Sequence, residues 1–147
     1  MLRRIALAAL LLVAVAAPPA LAIEADQVRV IDGDTIRVFH KKPNVRLVGF
    51  NAPETRAARC AAERALGDRA TRRLRDLVRD SKLEYVPVKC SCREGTHGTF
   101  SCNLGRGCGI LNANNRDVGE ILISEGLAVP FICGRTSCPP TPKPWCQ

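Results

Sequence analysis

Four side chains in two short stretches have the types and spacing to do phosphate chemistry. Asp34 lies in Ile31-Asp32-Gly33-Asp34-Thr35, and Arg46, Asn51 and Glu54 lie in Arg46-Leu47-Val48-Gly49-Phe50-Asn51-Ala52-Pro53-Glu54-Thr55. Carboxylate and carboxamide oxygens suit a hard cation, which takes oxygen ligands. A planar guanidinium donates two parallel hydrogen bonds to phosphate oxygens and stays charged at working pH. Glu54 follows Asn51 by three residues across a proline-fixed turn, so its carboxylate can reach a water beside a bound cation. Arg106, some fifty residues on, is the second arginine that could aim at the charge growing on phosphate oxygens. The competing readings are structural: Asp32 and Asp34 as turn formers, Arg46 as an edge arginine paired with an acid, and Arg106 as the flank of a glycine bend.

The elements that must position these groups are short. Residues 27–39 are rich in Val and Ile and broken at Asp32-Gly33-Asp34, which predicts two strands joined by a tight turn. Residues 45–50 predict a third strand, ended at Ala52-Pro53 because proline withholds a donor. From Cys60 to Val78 the pattern turns helical, with Ala62, Leu66, Ala70, Leu74 and Val78 on one face and arginines on the other. Glu63, Asp68 and Asp76 are read as acids that partly neutralise that solvated basic face. Strands at 83–88 and 106–112 and a helix at 118–127 follow. Three strands, a helix, two strands and a helix predict an α+β, mainly β, fold: a five-stranded barrel with helices packed on it.

The ends of the chain bound its setting. Arg3-Arg4, an apolar run of 13 residues from Ile5 to Ala17, and Ala20-Leu21-Ala22 predict a signal peptide over residues 1–22, cleaved after Ala22. The run is too short to cross about 30 Å of hydrocarbon at ~1.5 Å per residue. Without it the formal net charge of +8 falls by two arginines to +6, a basic balance that favours polyanions. All eight cysteines lie beyond residue 22, so export to an oxidising compartment, periplasmic or extracellular, predicts up to four disulfides. A zinc site at Cys90, Cys92, Cys102 and Cys108 is the rival, but it lacks the usual spacing. If the flanking strands form a hairpin, Cys92 can pair with Cys102 and Cys90 with Cys108, one of about 105 arrangements. Residues 23–132 then form the domain, and 133–147 a Pro- and Cys-rich tail held by Cys133, Cys138 and Cys146, with Cys60 a possible partner. His40 and His97 are read as solvent-facing, and no membrane or protein partner is indicated for the trimmed chain.

In this order and spacing, VIDGDTIRV (30–38), VRLVGFNAPET (45–55), Gly105-Arg106-Gly107 and RDVGEILISEGLAVPF (116–131) resemble the thermonuclease, or staphylococcal-nuclease-like, family over about Val28 to Phe131. The resemblance implies an OB-type barrel and a calcium-dependent phosphodiesterase that cuts DNA and RNA to leave 3′-phosphate ends. It casts Asp34, Asn51 and the Ala52 carbonyl as ligands of one Ca²⁺, Glu54 as general base, and Arg46 and Arg106 as phosphate-binding arginines. Asn51 stands where the best-known member has an aspartate, so one anionic ligand is lost and Asn51→Asp is expected to tighten calcium binding. Leu104 and Ile132 stand where that member has tyrosines near the nucleotide, and a disulfide-rich tail replaces its C-terminal helix. Two other functions fit the chain: a catalytically weak nucleic-acid-binding module, and a disulfide-stapled protein-interaction module that uses the tail.

Overall fold

The computed structural model describes residues 19–146. Its elements are β1 (Leu21–Ile23), β2 (Val28–Val30), β3 (Thr35–Val38), β4 (Val45–Leu47), β5 (Gly49–Asn51), α1 (Ala61–Asp80), β6 (Leu83–Val88), β7 (Gly107–Ala113), β8 (Arg116–Asp117), α2 (Val118–Ser124) and β9 (Val129–Phe131). The main sheet runs β1-β6-β7-β4-β3-β2, with β8 paired to β7, and curves as a half-barrel under the two helices. All its pairings are antiparallel except β4 with β7. The five principal strands β2, β3, β4, β6 and β7 match the five expected, and β6 falls at the predicted residues.

The third expected strand is two. Gly49 takes φ +93°, a conformation costly to a residue with a Cβ, and turns the chain after β4. β5 therefore leaves the main sheet and pairs with β9, a strand too short to stand out in the sequence. Of the expected leader, residues 1–18 lie outside the described residues. β1 pairs with β6 across the expected cleavage point, and its one buried residue, Ile23, is the one that cleavage after Ala22 would retain. Among the described residues no helix is long and apolar enough to cross a membrane.

The core lies between the sheet's concave face and the helices, with Ile36, Leu47, Phe50, Leu74, Leu111 and Leu122 almost wholly enclosed. Each such side chain stabilises the fold by roughly 1.5–3 kcal/mol through burial. Of the expected α1 stripe, Ala70, Leu74 and Val78 are buried and Leu66 packs partly buried against the core, but Ala62 is exposed, and Glu63, Gly67, Thr71 and Leu77 complete the buried face. Strict steps of four residues advance 400°, so such a line drifts round the helix, whereas alternating steps of three and four hold one face. Glu63 is thus a buried acid and not part of the solvated face. Arg64, Arg69, Arg72, Arg75 and Arg79 are exposed, as expected, and Arg73 clamps α2 through two hydrogen bonds to Glu125, Nε to Oε2 and Nη2 to Oε1, each 2.8 Å.

All eight cysteines are paired, as Cys60–Cys146, Cys90–Cys108, Cys92–Cys102 and Cys133–Cys138, which leaves no thiolate for zinc. The two middle bridges nest across the β6–β7 hairpin and bury a second small cluster of Cys90, Cys102 and Cys108 with Val48 and Val88. Such a set of bridges belongs to an oxidising compartment.

Gly67 sets the distance between α1 and the loop after β5. A Cβ there would lie 2.7 Å from the carbonyl oxygens of both Pro53 and Glu54. Gly67→Ala gains about 1 kcal/mol of helix propensity but must push the helix off that backbone, at about 1–3 kcal/mol. The expected result is a lower urea midpoint with unchanged slope; a higher midpoint would show that the loop is not held against α1.

Candidate active site

The register of three strands brings the two arginines together. Thr35 faces Arg46 across β3 and β4, and the parallel β4–β7 pairing sets Val45 opposite Gly107, the residue after Arg106. Asp34 closes the turn before β3, where its N–H donates to Asp32 Oδ1 at 3.2 Å, so Asp32 shapes the turn that presents Asp34. The β5 end supplies Asn51 and Ala52, and the loop after it Glu54. Asp34, Arg46, Asn51, Ala52, Glu54 and Arg106 all line one cleft of about 710 Å³.

Asp34 is the electrostatic centre. Its Oδ1 is ion-paired with Arg46 Nη1, and its Oδ2 accepts the Ala52 N–H at 2.8 Å. The Thr35 hydroxyl donates to Oδ1 at 3.2 Å and accepts from Arg106 Nη1 at 3.2 Å, which links the second arginine to the same carboxylate. Burial nevertheless pushes the Asp34 carboxyl up to about 6, aided by Asp32 and opposed by Arg46, the Ala52 amide and Thr35. Burial, then the charge of Arg46, lowers the Arg106 pKa, while Asp34, Asp32 and Glu54 raise it. Arg46 Nη2 also donates to Asn51 Oδ1 at 2.7 Å and to the Phe50 carbonyl at 3.2 Å. Two of the oxygens cast as metal ligands therefore already converge on one cation, the guanidinium.

Arg106 is held by Asn103, whose carbonyl accepts from Nε at 3.1 Å and whose side-chain oxygen accepts from Nη2 at 2.9 Å. Glu54 is half-buried, and its side chain takes part in no ion pair among the described residues. Beside this loop, Glu63 at the start of α1 is fully buried. Glu63 Oε2 accepts from the Arg59 backbone N–H at 2.8 Å and from Arg59 Nε at 3.2 Å. Burial pushes the Glu63 carboxyl up, but these bonds, the Arg59 charge and the Glu54 backbone amide outweigh it and leave its pKa lowered.

Thr35, Asn103 and Glu63 escaped sequence reasoning. Asn103 stands three residues before Arg106 in a loop and carried no periodic signal, and a lone Glu in a basic helix reads as a solvated neutraliser. His97 is also tied down, its Nε2–H donating to the Cys90 carbonyl at 3.1 Å. Cys60, Glu63 and Cys146 gather donor atoms within 4.8 Å, yet both sulfurs are in a disulfide and Glu63 is engaged by Arg59, so they form no calcium site. The C-terminal tail forms one wall of the cleft through Cys133, Cys138, Thr141 and Lys143.

A family model described as staphylococcal nuclease homologue matches residues 44–138. The span includes Arg46, Asn51, Ala52, Glu54 and Arg106 and begins ten residues after Asp34. No curated protein matches the chain.

The raised Asp34 pKa makes a signed prediction for metal-free protein. Between its ordinary value of 3.8 and about 6 the folded state holds a proton that the unfolded state has lost, so stability falls as pH rises through that window and levels off above it. The fall contributed by this group is on the order of 2–3 kcal/mol. Urea unfolding in chelator from pH 4 to 7 should show it in the native chain and not in Asp34→Asn; the same slope in both would place the cause elsewhere.

Proposed function

Because the chain belongs to the staphylococcal nuclease homologues, we propose that it is an exported, calcium-dependent phosphodiesterase that hydrolyses DNA and RNA, working in the periplasm or outside the cell. The observation that carries this reading is the convergence of Arg46, Arg106, Asp34 and an uncommitted Glu54 on one cleft. A module that only bound nucleic acid would need the arginines but not a free carboxylate beside them.

The donor set fits a hard cation with a single anionic side-chain ligand. Asp34 and Asn51 present oxygens to a common point that a guanidinium now fills, and burial leaves the Asp34 charge incompletely compensated. Asp34, Asn51 and the Ala52 carbonyl would hold the ion, which when bound supplies Lewis-acid polarisation of the phosphate. Arg46 must then exchange its contacts with Asp34 and Asn51 for phosphate oxygens, so cation and substrate are accepted together.

Glu54 takes a proton from the attacking water as its oxygen bonds to phosphorus, opposite the departing 5′-oxygen. Arg46 and Arg106 donate to the equatorial oxygens, whose charge grows in the transition state. The P–O5′ bond breaks with its electron pair on the 5′-oxygen, which is then protonated, and the phosphate stays on the 3′ side. Asn103 holds the Arg106 guanidinium plane, so little reorganisation is needed during reaction. The basic face of α1 offers sequence-indifferent, salt-sensitive attraction for the polyanion.

Digestion of plasmid and single-stranded substrates by oxidised protein in calcium, magnesium or chelator tests this. Cleavage is expected in calcium and not in chelator, with Glu54→Gln and Arg106→Ala each lowering kcat by roughly a hundred- to a thousandfold. Arg72→Ala should change only salt-dependent binding. Binding without cleavage under any divalent ion would favour the catalytically weak binding module instead.

A further inference from the structure

The C-terminal tail is fastened where the site is most sensitive. Cys146 is bonded to Cys60, the N-cap of α1, and Arg59 Nη2 donates to the Lys143 carbonyl at 2.5 Å. Just before these anchors the Pro142 carbonyl accepts a hydrogen bond from Asn51 Nδ2 at 2.9 Å. Asn51 is only 4% exposed, and its other atom, Oδ1, accepts from Arg46 Nη2 at 2.7 Å. A guanidinium can only donate and a carbonyl can only accept, so the two partners allow the carboxamide one orientation.

We propose that residues 139–146 are a strap that works as part of the site: the Pro142 carbonyl turns the Asn51 oxygen inward, and this makes an amide the group required at position 51. A carboxylate there would set one oxygen against the Pro142 carbonyl at about the present separation, two buried acceptors with no proton between them. The added charge that favours a cation on the inner side is thus opposed on the outer side. Asn51 and the tail belong together, so replacing the amide by an acid in the strapped chain does not improve the site. Asn51 contacts the ion in the nuclease reading, and the proposal rests on that reading for what the inward oxygen serves; the coupling of Asn51 to the strap does not depend on it.

Two measurements on the full-length oxidised chain test the coupling. The first needs neither calcium nor substrate: the Pro142 carbonyl ¹³C resonance should move upfield in Asn51→Asp, because the carbonyl loses the donor that Asn51 Nδ2 supplies in the native chain. The second is calorimetric titration with calcium chloride alone, in the native background and in Cys60→Ser/Cys146→Ser, where serine keeps an N-cap oxygen for α1. The single tryptophan, Trp145, reports release of the strap by its fluorescence quenching. Asn51→Asp should leave calcium affinity unimproved with the disulfide present and tighten it once the strap is free. An unchanged Pro142 carbonyl resonance, or equal tightening in both backgrounds, would overturn the proposal. Absence of nucleic-acid cleavage would overturn the nuclease reading and leave the Pro142 resonance result standing.

Discussion

The Asp34–Arg46 ion pair at the floor of the cleft is the interaction on which the rest depends. A carboxylate in a nearly closed site is costly to keep charged, and one guanidinium with an amide and a hydroxyl does not fully offset that cost. Much of the local architecture can be understood as support for it. β4 is central in the sheet, flanked by β3 and β7, so Arg46 is fixed by backbone on both sides. Gly33 leaves room for the close approach of Ala52 and Ala70, which brings the Ala52 amide to Asp34. The incomplete compensation is why the Asp34 carboxyl is raised to about 6.

Around that floor, α1 works as a jig. Its Gly67 lets the Pro53–Glu54 backbone lie against the helix, its buried Glu63 gathers the Arg59 backbone and guanidinium, and its N-cap Cys60 anchors the tail. Glu54 therefore sits on a loop held from beneath by a helix and beside a strap fixed by a disulfide. A small domain whose core is limited by its length gains rigidity at the site from these covalent and polar ties. The basic outer face of α1 is free of this work and remains solvated.

The fold was legible where residue type and backbone need coincide. Val- and Ile-rich runs around Asp32-Gly33-Asp34 mark β2, β3 and their turn, and the Val/Leu pattern before Lys89 marks β6. The residues singled out for phosphate and cation chemistry were carboxylate, amide and guanidinium groups at turns, and the structure sets them round one cleft. What the sequence hid was set by tertiary contact. Glu63 looks like any helix-surface acid until the Arg59 backbone closes over it. The β4–β7 pairing is parallel and joins residues about sixty positions apart, with no local signature. Pro142 acts through its carbonyl, which no side-chain pattern announces. The α1 stripe holds at Ala70, Leu74 and Val78 and fails at Ala62, because a line of four-residue steps drifts round the helix.

The central claim is that Arg46 occupies the cation's place in the free protein and the phosphate's side of the site during reaction. Calcium affinity and phosphodiester turnover measured on the same Arg46→Ala protein test it most directly, because the two roles move the two numbers in opposite directions. The account predicts tighter calcium binding, since Asp34 and Asn51 lose a competing cation, together with a collapse of kcat. Calcium binding that is weakened or unchanged, or turnover that survives the substitution, would contradict it.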